Sequence, residues 1–273
     1  TELLGDTKMF IDVFRDFGEL SSRQLISGGF DKELYVCGFN GSENITRLSS
    51  VDFAAKASTV VAVSSVAAWR TITDDEQYLY ASDRYNHRLT KIAKSSMSPT
   101  IFIATYGSVG SGAAQFNNAW QIALDGSGRV WVADMGNHRV KVHSAKDFSF
   151  IKSFGSLGKS STHYHLPTGI TVDQAYFYVG DDGNNRIMKH GISTGAFVSS
   201  VAVNINTFGS LTLANSDRFL FDAYQTISSS SPNFNDVILE KRDKNNLQVL
   251  SRIMVMPENS VQISTYNIMG NIA

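Results

Sequence analysis

The chain has almost nothing with which to cross-link itself: Cys37 is the only cysteine in 273 residues. A lone thiol excludes an intramolecular disulfide, yet large secreted β proteins also manage without one, so the count leaves the compartment unread. No run of about 18 apolar residues occurs, which excludes a membrane-spanning helix. Neither charge sign is in excess. The net charge is −1 with 18% charged residues, so no field draws the chain to nucleic acid or to anionic membranes. No Gly-x-Ser-x-Gly elbow is present, and no Gly-rich phosphate loop opens a helix, because no helix of useful length is visible. The longest biased segment is the SSSSP run at 228–232, which reads as an exposed loop. The chain begins at Thr1 rather than Met, which is compatible with a removed leader and with a secreted, cell-surface or virion-associated setting.

What the chain does have is a repeated unit. The stretch AWQIALDGSGRVWVADMGNHRVKVHSAKDFSFIKSFG, 119–155, reads as four short strands. Apolar and polar residues alternate, as in strands that bury one face. The Asp-Gly turn after the first strand favours a tight antiparallel hairpin, because glycine accepts positive φ without steric penalty. One such sheet cannot bury both faces, so it needs copies of itself as neighbours.

Two further clear copies follow the same plan, at 68–106 and 167–201. All three share Asp-x-x-Asn-x-Arg: Asp83/Asn86/Arg88, Asp134/Asn137/Arg139 and Asp181/Asn184/Arg186. The Asn-to-Asn steps, 86 to 137 and 137 to 184, are 51 and 47 residues, a spacing typical of propeller blades. Looser copies lie at 25–60, where Asn44 and Arg47 are out of register, and at 208–253, which carries a polar insertion. The strand, Asp and Asn-His-Arg order resembles the NHL repeat family. The resemblance implies an all-β fold, a six-bladed β-propeller of NHL type forming one domain over 1–273. At about 45 residues per blade the length gives the same six. The last blade is expected to combine 260–273 with 1–18, closing the ring and hiding both strand edges. If that blade is a strand short, its open edge would invite a larger assembly.

In a propeller the linkers into each inner strand and the second-to-third strand turns emerge on one face. Blade alignment puts Gln24, Trp69, Trp120, Thr168, Gly209 and Asn259 around the channel mouth, with Trp69 and Trp120 as a paired aromatic platform for a ligand. The turn residues Arg84, Tyr85, Met135 and Asp182 differ from blade to blade, as recognition residues on a rigid scaffold do. The Asp-x-x-Asn-x-Arg elements read instead as turn caps and ion pairs that serve the repeat itself.

The expected function is therefore a non-enzymatic binding scaffold. Its top face, including the 224–235 insertion, would meet a protein, peptide or glycan partner, with no cofactor. An alternative is a metal-dependent lyase or hydrolase, an activity the resemblance also implies. His163 and His165 on one extended segment would then hold zinc, copper or calcium, with Asp182 or His87 as a third ligand. The inner strands offer Thr71, Ile122, Ile170, Leu211 and Val261, an apolar ring that speaks against a metal there. A third reading, single-stranded RNA binding, has only Arg70, Arg84 and Lys159 as top-face cations, too few to track a backbone.

Overall fold

In a computed structural model the chain is described over residues 25–28, 33–37, 44–49, 55–60, 69–96, 104–203, 211–227 and 235–255. These residues form five four-stranded antiparallel sheets in simple up-and-down order. Blade one contains β1 (Leu25–Gly28), β2 (Glu33–Cys37), β3 (Asn44–Ser49) and β4 (Ala55–Val60). Blade two contains β5 (Trp69–Asp74), β6 (Tyr78–Asp83), β7 (Arg88–Ala93) and β8 (Ala104–Tyr106). Blade three contains β9 (Ala119–Leu124), β10 (Arg129–Asp134), β11 (Arg139–Ser144) and β12 (Phe150–Phe154). Blade four contains β13 (Pro167–Val172), β14 (Tyr176–Asp181), β15 (Arg186–Gly191) and β16 (Phe197–Ala202). Blade five contains β17 (Thr212–Asn215), β18 (Phe219–Ile227), β19 (Asn235–Asp243) and β20 (Val249–Val255). The inner strands β1, β5, β9, β13 and β17 neighbour one another in succession, which is the radial order of a β-propeller. The expected closing blade, from 1–18 and 260–273, lies outside the described residues.

Blades two, three and four each begin with a side-chain clasp. Asp75, Asp125 and Asp173 cap the turns between first and second strands. Asp75 Oδ1 accepts from the Gln77 and Tyr78 N–H groups at 2.8 and 2.7 Å, and Asp173 does the same for Ala175 and Tyr176. The second oxygen takes an aromatic donor from the second strand: Tyr80 Oη at 2.7 Å, Trp131 Nε1 at 2.8 Å and Tyr178 Oη at 3.1 Å. The buried Tyr and Trp bodies thus keep their polar tips satisfied while their rings fill the space between blades.

The core lies between sheets. Trp131 is fully buried, stacked 5.9 Å from Phe154 and 5.0 Å from Phe177 of the next blade. Leu211, Leu213 and Leu220 of blade five pack on Tyr178 and Ile187 of blade four. Lysines stitch neighbouring blades at the end away from the linkers. Lys91 Nζ donates to Ala145 O at 2.8 Å and Lys189 Nζ to Lys244 O at 2.7 Å. At the opposite end, the linker into blade four wraps Arg186, which donates to the carbonyls of Lys159, Ser160 and His163.

The inner strands also meet through Gln121. Its Nε2 donates to Leu213 O at 2.7 Å, and its Oε1 accepts from Ile170 N and Leu213 N, both at 3.1 Å. One side chain of β9 therefore ties β13 and β17 together. Gly169 makes this possible, since a Cβ there would stand 2.7 Å from Leu211 O.

Candidate functional site

The linker before each inner strand and the turn after each second strand share one end of the sheets. Gly136 N donates to Asn117 O at 2.8 Å, and Gly183 N to His165 O at 2.8 Å. At this end the repeated Asp closes its own turn. Asp134 accepts from Asn137 Nδ2, from Arg139 Nε at 2.8 Å and from the Asn117 backbone at 2.7 Å. Asp181 receives Asn184, Arg186 Nε at 2.7 Å and the His165 backbone at 2.6 Å. Asp83 holds Asn86 at 2.8 Å and Arg88 at 3.0 Å. Each carboxylate is fully buried and is neutralised by its guanidinium, which is how a buried charge is tolerated.

The histidine of the repeat has a second task. His87 and His138 sit in the left-handed region at φ 52° and 56°. Their Nδ1 atoms accept from the backbone N–H of Asn118 at 3.0 Å and Leu166 at 3.1 Å, at the entrance of the next blade. The proton of each neutral ring therefore stands on Nε2. Neither ring can give Nε2 to a metal without reversing its tautomer and losing this staple.

The strand register corrects the expected ring at the mouth. Trp69 pairs with Asp83, whereas Ala119 pairs with Asp134 and Pro167 with Asp181. A bulge follows in each blade, and the residues at the bulge are Arg70, Trp120 and Thr168. Trp69 is thus one step away from Trp120 in the repeat, because a one-residue shift turns a side chain to the other face of a strand. The two tryptophans form no open platform: Trp69 is 1% exposed and Trp120 7%. Thr168 is also buried and engaged, its hydroxyl donating to Leu211 O and accepting from Leu211 N, each at 3.1 Å.

In place of an aromatic platform stands a charged cluster. The Arg70 guanidinium carbon lies 3.7 Å from the Trp120 ring centre and that of Arg84 4.3 Å, so one indole carries two cations. Tyr85, 55% exposed, stands 5.1 Å from Arg84. Asp182 belongs to the same electrostatic neighbourhood. Desolvation above all, and then the charge of Asp181, pushes its carboxyl up to about 7, against the pull of Arg70. Its Oδ1, Arg84 Nε and the indole nitrogen of Trp120 are buried with no hydrogen-bond partner among the described residues. Met135, at the same turn position in blade three, is half-buried against the cluster around Trp131.

Of the expected metal ligands, His163 is held at Nδ1 by the hydroxyls of Ser160 and of Thr162, the latter at 3.1 Å. His165 donates from Nδ1 to Gly183 O at 3.1 Å and faces the His138 ring at 5.5 Å. Among the described residues no group of three or more His, Cys, Asp or Glu gathers around a point where a metal could sit.

Blade five departs from the pattern at this same end. Register places Tyr224 and Ile238 where blades two, three and four have the Asp and Arg of the turn clasp. Without that clasp the hairpin continues for three more residue pairs, ending at Ile227 and Asn235. At about 3.3 Å per residue it rises roughly 10 Å beyond its neighbours. The polar tip of the expected insertion, 228–234, lies outside the described residues.

Sequence reasoning missed the clasps that close the outer turns. His143 and His190 address the carbonyls of Phe148 and Gly195 at 2.8 and 3.2 Å, and Arg242 takes the same position in blade five, donating to Leu247 O at 3.0 Å. Arg242 also joins Asp222 at 2.6 Å and Glu240, which in turn pairs with Arg252. A signal was present: a polar residue, His143, His190 or Arg242, recurs at one register position of the third strand in blades three to five.

Comparison with known proteins agrees with the repeat. The NHL repeat model matches residues 116–142. NHL repeat-containing protein 3 of Homo sapiens is 42% identical over 57 residues, which are 21% of this chain and 15% of that protein. The Mus musculus protein of the same name is 40% identical over 68 residues, 24% of this chain and 18% of that protein. The match thus spans less than a fifth of these curated relatives. Among solved structures, a streptogramin B lyase superposes with a TM-score of 0.58 at 12% identity, over 88% of this chain and 85% of that one. The Pan2 WD40 domain of Neurospora crassa gives 0.57 at 11%, over 85% and 65%. At such identities these structures speak to the fold alone. The chain thus carries an NHL repeat, at residues 116–142, within a β-propeller fold.

Proposed function

We propose that this propeller is a binding scaffold whose linker-bearing face engages a protein or peptide partner. One observation carries the reading: at the channel mouth Arg84, with no ion pair among the described residues, stands beside the exposed Tyr85. Every other arginine of the repeat motif is spent on its own turn. An arginine without an ion pair and an exposed aromatic ring are residue types that anchor protein interfaces. The lengthened β18–β19 hairpin supports the same face, since it adds partner-accessible backbone on one side of the mouth.

The alternative of a metal-dependent lyase or hydrolase draws on His163 and His165 with Asp182 or His87 as third ligand, and of these His87 is tied up as a blade staple. RNA binding draws on Arg70, but that side chain is buried. The test is a photo-crosslinking residue placed at Tyr85, with Ser127 on the opposite end as control, in an extract of the native source. A discrete adduct from position 85 and none from 127 is expected. Equal or absent labelling at the two positions overturns the reading.

A further inference from the structure

We propose that the channel mouth is a carboxylate site: Arg84, laid on Trp120 beside Arg70, receives an acidic side chain of the bound peptide. This rests on the linker-bearing face being the binding face, and names the chemistry it selects. Arg88, Arg139 and Arg186 each meet a carboxylate at 2.7 to 3.0 Å, whereas among the described residues Arg84 meets rings and no carboxylate. A guanidinium stacked on an indole keeps its N–H edge directed away from the ring. That edge is a flat fork, fitted to the two oxygens of a carboxylate. Trp120 thus pre-orients the fork at little entropic cost to the ligand.

The local charge has the matching sign. Two guanidiniums share the indole, and the Asp182 carboxylate lies within the field of one of them, Arg70. The charged neighbours of Asp182 are Asp181, the last residue of β14 just before it, and Arg70 of β5. Desolvation raises the Asp182 carboxyl to about 7, so the negative charge it brings to the mouth diminishes as the pH falls. An incoming carboxylate is then opposed by ionised Asp182 and accommodated by its neutral form. A peptide fits better than a nucleic acid strand. Among the described residues the neighbouring turn and bulge positions Met135 and Thr168 carry no charge, so no basic track continues from Arg84 through those positions.

The experiment measures anisotropy of a fluorescent hexaglutamate peptide, with hexaglutamine and a single-stranded oligonucleotide of six uridines as comparison probes, on the full chain. Expected is a preference for hexaglutamate that weakens as salt rises. Arg84→Gln should weaken it about tenfold, the scale of one charge-assisted contact. Asp182→Asn should tighten it at pH 8 and flatten its pH dependence, a gain that misfolding cannot imitate. Equal binding of the glutamate and glutamine probes, tighter binding of the oligonucleotide, or indifference to both substitutions overturns the proposal. If a partner crosslinks at position 85 yet binds Arg84→Gln as well as it binds the parent chain, the carboxylate site fails and the binding face stands.

Discussion

His143 offers a direct measure of how tightly the blades are closed. The ring lies at the outer turn of blade three, fully buried among Tyr106, Phe116 and Phe150 at centroid distances of 5.5, 5.2 and 5.7 Å. Its Nδ1 donates to Phe148 O, which leaves Nε2 as an acceptor with no partner among the described residues. Protonation would place a charge in that apolar shell. Desolvation therefore pushes the ring down from 6.5 to about 4. Since the folded value is the lower one, the unfolded chain binds more protons between the two, and stability is complete above about pH 6.5 and declines as the pH falls. The single ring should cost about 2 kcal/mol by pH 5 and about 3 kcal/mol by pH 4. His143→Phe removes the titration while preserving a flat ring, at a cost of about 1 kcal/mol for the lost hydrogen bond. Urea unfolding followed by tryptophan fluorescence at pH 7, 6 and 5 gives both curves. The parent chain should lose stability more steeply than the variant, the two converging or crossing near pH 5 to 6. Parallel curves would mean that the ring is hydrated or already charged, and would refute the burial argument.

Three further outcomes test other parts of the scaffold. Asp181→Ala strands Arg186 and frees the His165 N–H, so a loss of about 3–5 kcal/mol is expected in the same unfolding assay, against under 1 kcal/mol for the exposed Lys146→Ala. Gly169→Ala drives a methyl against Leu211 O at 2.7 Å; it should destabilise by more than about 1 kcal/mol and speed amide exchange in β13 and β17 first. Trp131→Ala empties the stack with Phe154 and Phe177 and should cost about 3–5 kcal/mol, with loss of near-ultraviolet circular dichroism.

The fold was legible because its determinants are local and repeated. Asp, Asn and Arg at fixed spacing, followed by alternating strands, signal the blade wherever they occur, and three intact copies set the period. The mouth was harder to read for a specific reason. The dipeptide Ala-Trp occurs at the start of both β5 and β9, so equating Trp69 with Trp120 is the natural alignment. The turn that follows is longer in blade three, Asp125 to Arg129, than in blade two, Asp75 to Tyr78. That difference shifts the true register by one residue and makes Arg70 the counterpart of Trp120. Arg84 and Tyr85 could be singled out because they vary where the repeat is otherwise constant. The stacking of Arg84 on an indole of the next blade could not, because it depends on how neighbouring sheets face one another.

Blade five shows the same logic by its exception. A turn clasp halts a hairpin by binding its two strands at the end with a charged side-chain pair. Where Tyr224 and Ile238 replace that pair, nothing halts the hairpin and it grows. The polar residues of this blade move instead to its middle, where Asp222, Glu240 and Arg242 are buried together. Asp222 is pushed up to about 7, desolvation outweighing the pull of Arg242, with Glu240 adding repulsion. Its folded value exceeds the ordinary one, so this carboxyl favours folding at low pH and opposes it as the pH rises through 7. That sign is opposite to His143. The Asp222→Asn variant should therefore gain stability relative to the parent chain at pH 8 and lose that advantage at pH 5. If the difference between the two proteins is flat across that range, the ion pair with Arg242 dominates burial, and blade five is held by charge rather than in spite of it.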